Sequence, residues 1–203
     1  MNLPTLIGLG GISLLLSATL FKILISLKIS KQTAYILSGL IFILSFVPIS
    51  GYTVNQYFRG LFNDLSITSI IVLGYYLINP ERSKNQTQPL MLLIAIVGIL
   101  FYPAAIGFGP IDPYAWGYLN QDHGLFIPLL FLALLAALMT MAVIKRYTLL
   151  LSCLVFSSIA YQLNLLESLN LWDYLLDPII FLYAIITIIA RRLWALFSVK
   201  KPI

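Results

Sequence analysis

The sequence predicts an all-α integral membrane protein: a single polytopic domain, 1–203, built as a bundle of about seven transmembrane helices, with its N-terminus outside and its C-terminus cytoplasmic. Three observations predict this. Hydrophobic residues make up 61% of the 203 residues and charged residues 9%, with a mean hydropathy of +0.99, far from soluble globular usage. The apolar residues gather into runs at about 5–27, 33–50, 61–79, 89–108, 125–144, 147–164 and 174–193, each near the roughly 20 residues that cross a bilayer as a helix. With these runs drawn, all but Arg59 of the 12 Lys and Arg lie on one side and all but Glu81 of the 7 Asp and Glu on the other. Basic connections mark the cytoplasmic side.

The first run closes on Lys28 and Lys31, and Lys22, inside it, is able to snorkel to the same interface. Its length and the lack of a preceding basic residue predict a retained span rather than a cleaved leader. The second run gives way at Gly51 to an outer connection holding Arg59 and Asp64. The third has the shortest apolar stretch, from Leu65 to Asn79, and Leu61 and Phe62 are needed to bring it near spanning length. Pro80 stops it at the cytoplasmic face, and the fourth span holds Gly98 and Pro103, a candidate kink. Residues 109–124 form the longest outer segment, rich in aromatic and polar residues. Lys145 and Arg146 turn the fifth span into the sixth, and the seventh ends at Arg191 and Arg192. Glu167, Asn170, Asp173 and Asp177 recur at three- and four-residue spacing, so the seventh helix is open to an earlier start.

The outer face therefore collects the candidate binding residues: Arg59, Asp64, Asp112, Tyr114, Trp116, Asp122, His123, Glu167, Trp172, Asp173 and Asp177. Several have structural explanations that compete with a functional one. Asp177 before Pro178 and Asp112 before Pro113 have the pattern of an N-cap followed by proline at the first helical position, and Asp64 is placed to cap the third span. Tyr114, Trp116 and Trp172 suit an interfacial aromatic belt as well as a lid over a ligand. Arg59, the lone outer cation, is a candidate to hold phosphate or carboxylate bidentately, or to pair with an outer aspartate and fasten the loops.

Composition excludes much chemistry. One His and one Cys, Cys153, supply no zinc or haem ligand set and no intramolecular disulfide. No metal and no cofactor is expected, although a carboxylate-only site at the outer face is not excluded by residue type. The seventh span has no lysine for a retinal Schiff base. Gly8, Gly10 and Gly11 sit in an apolar helix, where they favour close helix packing rather than phosphate cradling. Asn85-Gln86-Thr87 matches a glycosylation sequon but lies on the cytoplasmic side, where it would be inert. The net charge of +5 is the cytoplasmic basic excess of a membrane protein, so nucleic acid is not an expected partner.

No ionisable residue falls near the middle of a span, which argues against an ion- or proton-coupled carrier acting alone. The tail from Arg191 to Lys201 reads as an interfacial anchor for anionic lipid or a cytoplasmic docking segment. The expected partners are membrane lipid and a further membrane protein. The leading expectation is a non-catalytic subunit or binding module at the extracytoplasmic face in envelope or lipid biogenesis, in a bacterial inner membrane. The alternatives are a small intramembrane enzyme acting on a lipid headgroup and a permease component.

Overall fold

Asn2 starts the first helix, its Oδ1 accepting from the Thr5 amide at 3.0 Å, with Pro4 in the opening turn where no amide is needed. This helix, α1, runs over Leu3–Ser26. The computed structural model describes residues 2–79, 84–119 and 126–198, and these are mostly helical. After α1 come α2 (Lys31–Leu44), a two-residue-per-strand hairpin, α3 (Val54–Phe62), α4 (Ile67–Ile78), α5 (Lys84–Ala105), a short 3-10 turn (Tyr114–Gly117), α6 (Phe126–Ile144), α7 (Thr148–Gln162), α8 (Leu171–Leu175) and α9 (Pro178–Ser198).

The helix ends differ from the predicted runs for local reasons. The second run was expected to reach residue 50, but α2 stops at Leu44. Ser45 turns its hydroxyl inward to Ser13 Oγ, 2.7 Å away, and Pro48 disfavours helical geometry in the residue before it. Pro48–Ile49 pairs with Tyr52–Thr53 through Ser50 and Gly51, whose φ values of 54° and 94° suit the tight turn that matches strand twist. The third run is divided. Its first residues finish α3, Asn63 (φ 62°) breaks the helix, and α4 begins beyond Ser66, whose hydroxyl accepts from Ser69 N at 3.1 Å. Ser66, not Asp64, is therefore the cap. The seventh run separates into α8 and α9 because Asp177, preceding Pro178, cannot continue a helix. At the far ends, α1, α5, α6 and α7 close alike: the last carbonyls are bonded by the amides of Lys28 and Ile29, Gly107 and Phe108, Arg146 and Tyr147, and Asn164 and Leu165.

Polar side chains fasten the interior. Ser13 Oγ receives Asn55 Nδ2 at 3.1 Å as well as Ser45, tying α1, α2 and α3 together. Ser157 Oγ donates to the Tyr174 carbonyl at 2.8 Å and lies 3.3 Å from Thr68 Oγ1, joining α4, α7 and α8. Around these bonds, Leu90, Met91, Ile94, Phe131, Leu150, Cys153 and Leu171 build the main apolar core, and Phe21, Leu24 and Ala34 a smaller one.

Polar contacts also sort the helix ends into two groups. At one end meet the start of α1, the segment from α3 to α4, and the residues flanking α8: Thr5 donates to Glu167 at 2.8 Å and Ser66 N to Asp177 at 2.9 Å. At the other, Tyr35 on α2 donates to the Leu77 carbonyl at 2.6 Å, while Gln86 on α5 donates to the Arg146 carbonyl at 3.0 Å. Leu3–Ser26 and Asn85–Ala105 are each long and apolar enough to cross a membrane, and Lys31–Leu44, Ile67–Ile78, Pro128–Ile144 and Thr148–Gln162 are apolar but shorter. These features support membrane association.

Candidate functional site

The first of the two ends is built around Arg59. It sits in the last turn of α3, and the left-handed Asn63 returns the chain so that Asp64 faces it. Arg59 Nε donates to Asp64 Oδ1 at 2.5 Å and Nη2 to Asp64 Oδ2 at 2.8 Å, a bidentate fork. Nη2 also reaches Glu167 Oε1 at 3.0 Å. The guanidinium thus joins three stretches of chain. The Asp64 bond, more than the Glu167 bond, raises the Arg59 pKa above its already high ordinary value. Arg59, followed by Thr5, holds the Glu167 carboxyl below the usual carboxylate range. Gly8 makes room for this arrangement, because a Cβ there would overlap Asp64 Oδ1 and stand 3.1 Å from Arg59 Nε.

Asp177 is 5% exposed and bridges two helix starts. Oδ1 accepts from Ile180 N at 2.9 Å, capping α9. Oδ2 accepts from Ser66 N and Oγ at 2.9 and 2.7 Å, and from Ser69 Oγ, at the start of α4. Its negative charge lies where both helix dipoles present their positive ends. Asp173 Oδ2 accepts from Tyr114 Oη at 2.8 Å and Ser168 Oγ at 2.5 Å. Burial first, then the Asp173 bond, pushes the Tyr114 phenol above its ordinary pKa.

The 3-10 turn is held against α8 by polar bonds at its base. Asn170 Nδ2 donates to the Tyr114 carbonyl at 2.8 Å, and Trp172 Nε1 to the Pro113 carbonyl at 2.8 Å. A Cβ at Gly117 would overlap Asn170 Oδ1, so this contact also depends on glycine. Asp112 Oδ1 accepts from Tyr114 N at 2.9 Å and opens the turn.

These elements enclose a cavity of about 670 Å³ lined by Asp64, Glu167, Asp173 and Asp177 together with Tyr102 and Tyr114, among others. Beside it, between α5, α6 and α7, lies an apolar cavity of about 280 Å³ lined in part by Trp116, Phe131 and Trp172. The Trp172 ring packs at a tilt against Phe101, which lines the polar cavity, and against Phe131, with centroids 4.5 and 4.8 Å away. Leu176 borders both spaces.

Of the residues singled out in the sequence, Asp64, Tyr114, Glu167, Asp173 and Asp177 therefore share one cavity, with Arg59 tied to two of them. Trp116 and Trp172 face the apolar one. Asp112 lines neither, and Asp122 and His123 lie outside the described residues. Sequence reading missed Thr5, Ser66, Tyr102 and Ser168; it placed Asn170 on a helical face with Glu167, Asp173 and Asp177, and Gly8 in helix packing, without joining either to this site. Ser66-x-x-Ser69 had the pattern of a helix cap, and Tyr102 stood at the outer end of a span; Thr5 and Ser168 gave no signal. Among the described residues, no three His, Cys, Asp or Glu side chains converge as a metal-binding group.

No protein-family model, curated protein or solved structure matches this chain.

Proposed function

We propose that this is a multi-pass membrane protein of a bacterial inner membrane, a bundle of about seven spans with its N-terminus outside, and that its extracytoplasmic end binds the cationic head of an amphiphile. It acts as a non-catalytic binding module or subunit in envelope or lipid biogenesis. The membrane reading draws support from an inversion of the usual soluble pattern. Apolar side chains such as Ile36, Ile43, Leu100, Phe156 and Ile186 are exposed, while Ser13, Ser38, Asn55, Ser66, Thr68 and Ser157 are buried.

The single observation that carries the binding reading is the acidic cavity adjoining the apolar one. Four carboxylates face the polar space, and the cation beside them, Arg59, is engaged by two, which leaves an excess of negative charge at a low-dielectric boundary. Such a space favours an ammonium group, and Tyr102 and Tyr114 add aromatic rings to its lining. A hydrocarbon tail has the adjoining apolar space to follow. The ligand class is an amine-bearing lipid or lipid-linked group.

A binding role is favoured because the carboxylates are already structural acceptors. Asp64 is held by Arg59 and Asp177 by two helix starts, so proton transfer at either would disrupt the fold that positions it. Asp173 Oδ1 and Glu167 Oε2 accept no hydrogen bond among the described residues, and of the two Asp173 is the less exposed. This favours Asp173 as the base or ligand if the protein is instead a headgroup-processing enzyme.

The test is mass spectrometry of the full-length protein purified in native lipid, compared with Asp173→Asn. Enrichment of one amine-bearing lipid in the wild type and its loss in the variant are expected. Retention of the same lipids by both proteins would contradict the binding reading, and turnover of the bound lipid abolished in the variant would favour the enzyme.

A further inference from the structure

A third cavity lies between α1, α4 and α9, parted from the acidic one by Ser69 and its bond to Asp177. It encloses about 210 Å³ and is lined mainly by apolar side chains, including Leu15, Ala18, Val72, Leu73 and Ile179, from Ser69 at one end to Tyr76, Tyr183 and Lys22 at the other. Lys22 Nζ stands 5.5 Å over the Tyr183 ring. Val72, Tyr76 and Tyr183 also line a narrow cleft of about 20 Å³ that continues to Arg191.

Lys22 is the feature that demands an explanation. It lies six residues before Lys28, about 9 Å along the axis at the helical rise, and its neighbour Ile23 is 49% exposed. Among the described residues no carboxylate pairs with it, since the ion pairs they make are those of Arg59. The described carboxylates all belong to the opposite end or its connections. An ammonium inside an apolar span is costly unless it reaches water or an anion, and one poised at the mouth of an apolar cleft has a specific anion available in the leaflet around it.

We propose that this cleft holds one anionic phospholipid of the cytoplasmic leaflet, with the phosphate between Lys22 and Arg191 and an acyl chain running up the cleft from Tyr183 toward Ser69. The proposal rests on the membrane reading given above but not on the acidic cavity. The direction of the cleft matches a lipid of that leaflet: charged at the basic end of the bundle, apolar toward its middle. Charge complementarity fixes the occupant, because Lys28, Lys31, Lys145, Arg146 and Arg192 share this end, and a basic mouth disfavours the amine headgroup proposed for the other pocket.

The experiment incubates full-length protein with equimolar phosphatidylglycerol and phosphatidylcholine of identical chains and counts bound lipids by native mass spectrometry. The expected result is preference for phosphatidylglycerol, reduced at least fivefold in Lys22→Met and retained in Lys22→Arg. Thr19→Trp, which narrows the cleft from its exposed side without touching the charge, is expected to reduce binding as well. Equal retention of the two lipids by the wild type, unchanged preference in Lys22→Met, or unchanged binding in Thr19→Trp would overturn the site. Alkaline extraction of the membranes separates the two failures: protein released into the supernatant sinks the membrane reading itself, whereas protein that stays embedded with an unaltered lipid preference sinks the phospholipid site alone.

Discussion

Gly8 lies directly against Asp64, so close that a single methyl on its Cα would occupy the space of Asp64 Oδ1. The ion pair that closes the acidic end of the bundle thus depends on a residue with no side chain. Gly8→Ala is expected to displace the aspartate and cost about 1–3 kcal/mol, the usual range for overpacking. Gly10→Ala, where nothing lies within 4 Å, is expected to be neutral or slightly stabilising. Thermal unfolding of the two variants in the same detergent makes the comparison, and equal melting temperatures would refute the close packing.

Arg59→Lys keeps a positive charge but not the two-pronged geometry that meets both oxygens of Asp64. Because the Arg59 and Asp64 side chains are only 18% and 10% exposed, the loss is expected to be about 1–2 kcal/mol, within the range for hydrogen bonds to charged groups. Glu167→Gln, at a side chain 49% exposed, is expected to cost less. Chemical unfolding midpoints measure both, and a lysine variant as stable as the wild type would show that the fork contributes nothing.

Acid should weaken the same cluster. The folded pKa of Glu167 is depressed, so its stabilising contribution is present above the ordinary glutamate pKa and is lost as pH falls through the folded value. Arg59 and Tyr114 have raised values; their contributions are complete below their ordinary pKa values and fade only as pH rises through the folded ones. A melting temperature measured from neutral to acid pH is expected to fall less steeply in Glu167→Gln than in the wild type. Parallel curves would remove Glu167 from the acid response.

Asp177→Ala deprives the starts of both α4 and α9 of an acceptor. At about 1 kcal/mol per lost cap, the expected loss is about 2 kcal/mol, and more if the buried Ser66 and Ser69 hydroxyls stay unpaired. Since Ser66 shares the bond, adding Ser66→Ala should cost less than the sum of the single losses. A double-mutant cycle with additive effects would place the two residues in independent roles.

Much of the fold was legible because hydropathy and charge act over long segments. The helices α1, α5, α6 and α7 lie close to runs visible in the sequence. Helix ends were less legible wherever one backbone angle decided them. Asn63 at positive φ, and the inward turn of Ser45 toward Ser13, leave no hydropathy signal. The acidic character of the site was also plain, yet its grouping was not. Asp64, Glu167, Asp173 and Asp177 share a cavity because α1, α4 and α9 start at the same end, whereas Asp112, of the same residue type and with the same following proline as Asp177, caps a surface turn. Gly8 was read as a packing glycine, but its partner across the fold, Asp64, is a tertiary relationship that spacing along the chain does not encode.

The proposal stands or falls on which side of a membrane the acidic cavity faces, and the chain offers a clean way to measure it. Its one cysteine, Cys153, is buried, so Cys153→Ala gives a thiol-free background into which Asp112→Cys or Lys145→Cys can be introduced at exposed positions on opposite ends. Right-side-out membrane vesicles are then treated with a membrane-impermeant maleimide. The account predicts that the cysteine at 112 is labelled in sealed vesicles and the one at 145 only after they are opened. Labelling at 145 but not 112 in sealed vesicles, or at both, would contradict it.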